Sequence, residues 1–231
     1  ELETRTKAEA FIDAVVGAKT STDQDRLSIN QGMKGKRVLF VDNHDSFVHT
    51  LGDYVRQTGA QITTVRAGFP KEVFEQVRPD LVFISPGPGS PEQFDVPELV
   101  KDCIYRELPI FGVCLGLQGI VVSLGGELGV LEYPMHGKSS VVNCNQKGIF
   151  KGFPKKFTAG RYHSLYAVKK KLPSCLEVSA ETDDGVIMAI EHRSYPLAAV
   201  QFHPESILSL KDNRGMKLIE RAMLSLTTGE C

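Results

Sequence analysis

Pro109-Ile110-Phe111-Gly112-Val113-Cys114-Leu115-Gly116-Leu117-Gln118 runs from an apolar stretch into a cysteine held between two glycines. The apolar stretch reads as a buried strand and the residues after the cysteine as a helix. Gly-x-Cys-x-Gly at such a junction is the thiol form of the nucleophile elbow, a sharp strand-to-helix turn that lifts one side chain above a sheet. Glycine is needed at 112 and 116 because a Cβ at either would strike the neighbouring strand or helix. The turn also sets the thiol at the positive end of a helix, which favours the thiolate. An isolated cysteine is more often a small buried hydrophobe. The strand, the paired glycines and the partners below favour a nucleophile here.

Outward from the elbow, strands and helices alternate. Lys36–Asp42, Gln61–Arg66 and Leu81–Ile84 read as strands, and Ser46–Thr58, Lys71–Val77 and Val96–Arg106 as helices. Gly59 stops the first of these helices at its C-terminal end. Beyond Gly125 the pattern turns strand-rich and less regular, with strands at Val186–Glu191 and Leu197–Phe202 and a closing helix over Asp212–Leu226. Continuous apolar strands between helices predict an α/β fold, an open, mainly parallel central sheet covered by helices on both faces. Sites in such sheets lie at the carboxyl ends of the strands, where Cys114 falls.

Two further segments belong with Cys114. Phe202-His203-Pro204-Glu205 ends an apolar strand. Proline biases His203 toward extended backbone, and in extended chain residues two apart share a face, so Glu205 can reach the imidazole. A thiol nucleophile needs such a base, and a carboxylate behind it fixes the tautomer. Ser85-Pro86-Gly87-Pro88-Gly89-Ser90-Pro91 follows a buried strand, and its only amide donors after Ser85 are Gly87, Gly89 and Ser90. With the amide of Leu115, this loop is expected to cradle a developing oxyanion.

The remainder of the chain narrows the class. Lysine plus arginine, 27, balance aspartate plus glutamate, 28, which gives no reason to propose nucleic acid or an acidic membrane as partner. Five cysteines without a C-x-x-C pair suit a reducing cytosol rather than a disulfide framework or structural zinc. His136 and His163 could be ligands, but no second ligand stands at metal-like spacing, so no metal and no cofactor is expected. His44, His49 and His192 read as structural, and Lys169-Lys170-Lys171 as a solvated loop. No apolar run approaches membrane-spanning length. Residues 2–18 read as an amphipathic helix and Thr20–Gly35 as a linker, so 1–35 is expected to be the tail of an upstream domain and 36–231 the compact domain. The chain starts at Glu1 rather than methionine, as a piece cut from a longer polypeptide would, and Met33-Lys34 resembles the start of an independent subunit.

Taken together, Asp42-Asn43-His44-Asp45-Ser46-Phe47, Ser85–Pro91, Gly112–Gln118, His136-Gly137-Lys138, Tyr162-His163-Ser164-Leu165 and Gln201-Phe202-His203-Pro204-Glu205-Ser206 resemble the class I, triad-type glutamine amidotransferases. The likeness is greatest to the glutaminase component of anthranilate synthase and its aminodeoxychorismate synthase relatives. It covers roughly residues 36–227 and implies a flavodoxin-like fold. It also implies hydrolysis of L-glutamine through a thioester on Cys114, with His203 shuttling protons and Glu205 orienting it. Gly87, Pro88, Gly89, Leu115, Gln118, Ser164 and Leu165 would hold the substrate. The implied partner is a chorismate-using synthase, fused upstream or separate, that takes the ammonia toward tryptophan. Leu117 stands where the family usually carries histidine and is expected to shape the pocket. Other readings are the glutaminase of an aminodeoxychorismate or phenazine-type synthase, a freestanding γ-glutamyl hydrolase, and a non-catalytic regulatory module.

Overall fold

The computed structural model describes residues 31–209 and 211–229. The helix expected over 2–18 lies outside them. Among the described residues nine strands form one sheet: β1 Arg37–Asp42, β2 Gln61–Arg66, β3 Leu81–Ile84, β4 Ile110–Val113, β5 Leu128–Cys144, β6 Lys156–Ala167, β7 Leu176–Thr182, β8 Ile187–His192 and β9 Leu197–Val200. Their order is β2-β1-β3-β4-β9-β8-β7-β5-β6. The first five run parallel, and every pairing from β9 to β6 is antiparallel. The parallel half is the doubly wound core that the alternation predicts, and the antiparallel wing is built from the less regular sequence after Gly125.

Among the described residues the α-helices are α1 Val48–Gln57, α2 Glu72–Val77, α3 Val96–Tyr105, α4 Leu115–Ser123 and α5 Arg214–Thr228. Alternate residues of the parallel strands feed two separate cores, as the two-residue period of a strand requires. Val38, Phe40, Phe83 and Phe111 pack with Leu51 and Val55 of α1 and with Leu218 and Ala222 of α5. Leu39, Val41, Val82, Ile84 and Ile110 pack with Val96 and Val100 of α3 and Ile120 of α4. Because both faces are covered, β1, β3, β4 and β9 read as unbroken apolar runs. On the first face Phe40, Phe83 and Phe111 form an aromatic ladder, with ring centroids 4.9 and 5.3 Å apart.

Residues 31–36 lead into β1 through a turn. Met33 is fully buried, and its amide donates to the Thr58 carbonyl at the end of α1. Among the described residues no helix is long and apolar enough to cross a membrane.

Candidate active site

The elbow is a backbone feature first. Cys114 has φ 52° and ψ −99°, a left-handed conformation that costs a residue with a Cβ about 1–3 kcal/mol. It persists because its surroundings fix it: the Cys114 amide donates to the Val200 carbonyl at 2.7 Å, tying the turn to β9. The glycines carry out the expected steric role. A Cβ on Gly112 would lie 2.8 Å from the backbone carbon of Gly116, and one on Gly116 would lie 2.8 Å from the Ile84 carbonyl oxygen. Helix α4 can therefore start directly against β3 and β4. Its first amides, Leu115 among them, have no carbonyl of their own helix to bond.

Sheet topology explains how His203 meets the thiol across such a long stretch of chain. β4 and β9 are neighbours, with Val113 opposite Val200, so the residues just past both strands emerge side by side. Beyond β9, Phe202 turns into a cluster with Phe157, at 5.6 Å between ring centroids. The alternate residues Gln201, His203 and Glu205 are all buried. The His203 amide bonds the Gly160 carbonyl of β6, and its carbonyl accepts from Ser209 Oγ at 2.7 Å, so the imidazole is carried on a doubly fixed backbone.

Nδ1 of His203 lies 2.6 Å from Glu205 Oε1, and both side chains are essentially inaccessible. Nε2, on the far side of the ring, is buried without a full hydrogen bond. Burial works against a charged imidazole. The Cys114 sulfur and the Glu205 carboxylate nevertheless hold its pKa well above the ordinary histidine value. Phe47 and Tyr162 pack against the ring at 5.3 and 5.0 Å between centroids.

The Pro-Gly loop lies against the elbow: a Cβ on Gly87 would come within 2.6 Å of Leu115 Cδ2. It is pinned by Asn43, whose amide donates to Ser85 Oγ at 2.9 Å and whose side-chain Nδ2 donates to the Ser85 carbonyl at 2.8 Å. Gly89, with φ 69°, makes the turn in this loop. Ser90 does not contribute a free donor. Its amide is taken by Gln93 Oε1 at 3.0 Å in a capping box that starts a short 3₁₀ turn, Pro91–Phe94. Of the loop amides singled out in the sequence, Gly87 and Gly89 are left as candidates.

Gln118 lies one turn into α4, and its Nε2 reaches the Leu165 carbonyl at 3.3 Å, which joins the elbow helix to β6. Pro88 is exposed in the Pro-Gly loop, and Ser164 is half-buried on β6. Leu117 is placed differently from expectation. It is fully buried in the core with Val96, Val100 and Ile120. The helical period turns residue 117 toward α3 while 118 faces β6.

Two residues were missed in the sequence. Asn43 and Gln201 are both wholly buried polar side chains, one holding the Pro-Gly loop and the other donating to Cys114 Sγ at 3.5 Å. Each stands inside a block that carries the family resemblance, which was the available signal. Of the other histidines, His163 is buried and bonded within β6, and His44, His49 and His136 are exposed. Among the described residues no group of three or more histidine, cysteine, aspartate or glutamate side chains could hold a metal ion. Lys169 and Lys171 are paired with Glu181 and Glu127.

A thiol on a strained elbow, beside a buried imidazole–carboxylate pair, has the equipment of an enzyme that cleaves amides through its own sulfur. The chain belongs to the class-I glutamine amidotransferase family, which matches residues 39–221, and is an enzyme of that kind. It is 50% identical over 229 residues to the anthranilate synthase of Azospirillum brasilense, a match that takes in 99% of this chain and 31% of that protein. It is 41% identical over 174 residues to the aminodeoxychorismate/anthranilate synthase component 2 of Bacillus subtilis, covering 74% of this chain and 89% of the relative. Among solved structures, a glutamine amidotransferase of Thermotoga maritima superposes with a TM-score of 0.63 at 16% identity, over 83% of this chain and 96% of that one. This last likeness concerns the fold alone.

Proposed function

We propose that the chain is the glutamine-hydrolysing part of an anthranilate synthase, with Cys114, His203 and Glu205 as its catalytic triad. The observation that carries the chemistry is the buried His203–Glu205 pair at 2.6 Å, just past the strand next to the one that ends in Cys114. The high pKa of His203 means the imidazole holds a proton well when the thiol gives one up. The thiolate then attacks the glutamine side-chain amide, and the imidazolium delivers its proton to the departing ammonia. Water, activated by the same imidazole, releases glutamate from the thioester.

The amide of Leu115 with those of Gly87 or Gly89 would receive the oxyanion of each tetrahedral intermediate. Gln118 and the Ser164-Leu165 backbone would hold the amino-acid end of the substrate. Cys114 is only 5% exposed, so little of the residue meets solvent. That suits a glutaminase tuned by a synthase that consumes the ammonia.

The choice of anthranilate as product rests on the 50% match, which extends through the first thirty residues into a protein about three times as long. It also supports reading residues 1–35 as the end of a fused synthase. The Bacillus relative's name favours aminodeoxychorismate as the second reading. Cys114→Ser should abolish glutamine-dependent anthranilate formation in the synthase assembly and leave ammonia-dependent formation intact. Glutamine use that survives the substitution would remove Cys114 from its role, and aminodeoxychorismate as the product would favour the second reading.

A further inference from the structure

We infer that Gln201 is a further catalytic residue, whose amide N–H donates to the Cys114 sulfur and stabilises the thiolate. This rests on Cys114 being the nucleophile of the proposed reaction. The direction of the bond follows from a chain of contacts in which each partner leaves the next no choice.

The chain starts at Arg161, which is buried and can only donate. Its Nε donates to His163 Nε2 at 3.0 Å, so that nitrogen is an acceptor and the ring proton is on Nδ1. Nδ1–H then donates to the Leu165 carbonyl at 2.8 Å. The same carbonyl accepts from Gln118 at 3.3 Å, which requires the NH₂ end of that amide to face it. That NH₂ also donates to Gln201 at 3.3 Å, so the oxygen of Gln201 must face Gln118. What remains is the NH₂ of Gln201, 3.5 Å from Cys114 Sγ and within reach of a sulfur acceptor. Flipping either amide would set oxygen against oxygen or NH₂ against NH₂.

Gln201 is completely buried, so water does not compete for its N–H. A neutral donor there favours the ionised sulfur without adding a charge that would repel the imidazolium of His203. Hydrogen bonds to ions are about twice as strong as those between neutral groups, so the contact strengthens when the thiol loses its proton.

The test uses the full chain without substrate. Alkylation of Cys114 by iodoacetamide is followed from pH 5 to 10, with peptide mass spectrometry separating Cys114 from the other cysteines. Gln201→Leu keeps the volume and removes the donor. It should slow alkylation about tenfold at pH 7, the ordinary worth of one hydrogen bond to an ion, and reach the wild-type rate at high pH. Gln201→Glu should be slower still at pH 7, because a carboxylate would face the sulfur; it carries the test if the leucine variant does not fold. Gln201 variants with the wild-type rate at pH 7, or a slower rate at every pH with no displacement of the curve, would overturn the inference. Ammonia release from glutamine by the wild-type assembly is measured separately. A chain that shows the displaced curves but hydrolyses no glutamine would refute the proposed function and leave the thiolate contact standing.

Discussion

Acid should weaken this fold through one histidine in particular. His163 is 3% exposed, accepts a hydrogen bond from the Arg161 cation and lies within electrostatic reach of the His203 imidazole. Burial, reinforced by those positive neighbours, lowers its pKa to about 4, against the Leu165 carbonyl that favours the charged form. The unfolded chain keeps the ordinary value of about 6.5. A histidine whose folded pKa is depressed costs nothing above that value, since both states are then neutral. As pH falls from 6.5 toward 4, the unfolded chain gains a proton that the fold refuses, and stability is lost. At pH 5 the difference comes to about 2 kcal/mol, and below pH 4 to about 3 kcal/mol. Urea unfolding of wild type and His163→Gln at pH 7.5 and 5 isolates this contribution, because the remaining histidines titrate alike in both. The wild type should lose about 2 kcal/mol more than the variant on going to pH 5. Equal losses, within about 0.5 kcal/mol, would show that His163 is not held neutral by the fold and that the tautomer argument starting at Arg161 is unsound.

Three other outcomes follow from the geometry. Glu205→Gln leaves the imidazole without its carboxylate; steady-state kinetics in the assembly should show kcat down roughly 10²–10⁴-fold with little change in KM, and the alkaline limb displaced to lower pH. Gly116→Ala improves helix propensity by about 1 kcal/mol but sets a methyl 2.8 Å from the Ile84 carbonyl oxygen, so the melting temperature should fall and the rate of Cys114 alkylation should change with it. Glu191 has a buried oxygen without a partner, and burial raises its carboxyl pKa, so the neutral form suits the fold. The stability that form supplies is full at low pH and lost as pH rises through the raised value; Glu191→Gln should therefore raise the melting temperature by a few degrees at pH 8 and leave it unchanged at pH 4.

The inner strands of the parallel half were legible because they are buried on both faces, and β3, β4 and β9 contain no polar residue to confuse the pattern. Ile110–Val113 and Leu81–Ile84 could be read nearly to the residue for that reason. The β5–β6 hairpin was not legible in the same way. Most of β5 is partly exposed, and its register slips between Val130 and Met135 and again between His136 and Lys138, which erases any clean alternation. Cys114, His203 and Glu205 could be singled out as candidates because the proposed chemistry needs rare residues at special backbone positions. Gln201 and Asn43 were signalled only by their place in blocks that carry the resemblance, since an amide side chain has no spacing rule and its role depends on what the fold brings beside it. Ser90 was misassigned as a donor although Ser-Pro-Glu-Gln is a capping-box pattern; the local bond to Gln93 takes the amide before a substrate could. Leu117 shows the reverse error, where position in the chain beside the nucleophile suggested a pocket and helical geometry sent the side chain into the core.

The most direct measurement is covalent capture of the nucleophile by a glutamine-like electrophile, 6-diazo-5-oxo-norleucine, read by mass spectrometry of the whole chain and its peptides. The account predicts one adduct, on Cys114, slowed by added glutamine and lost in His203→Ala. An adduct on Cys175 instead, or labelling of Cys114 that neither glutamine nor the histidine substitution affects, would contradict it.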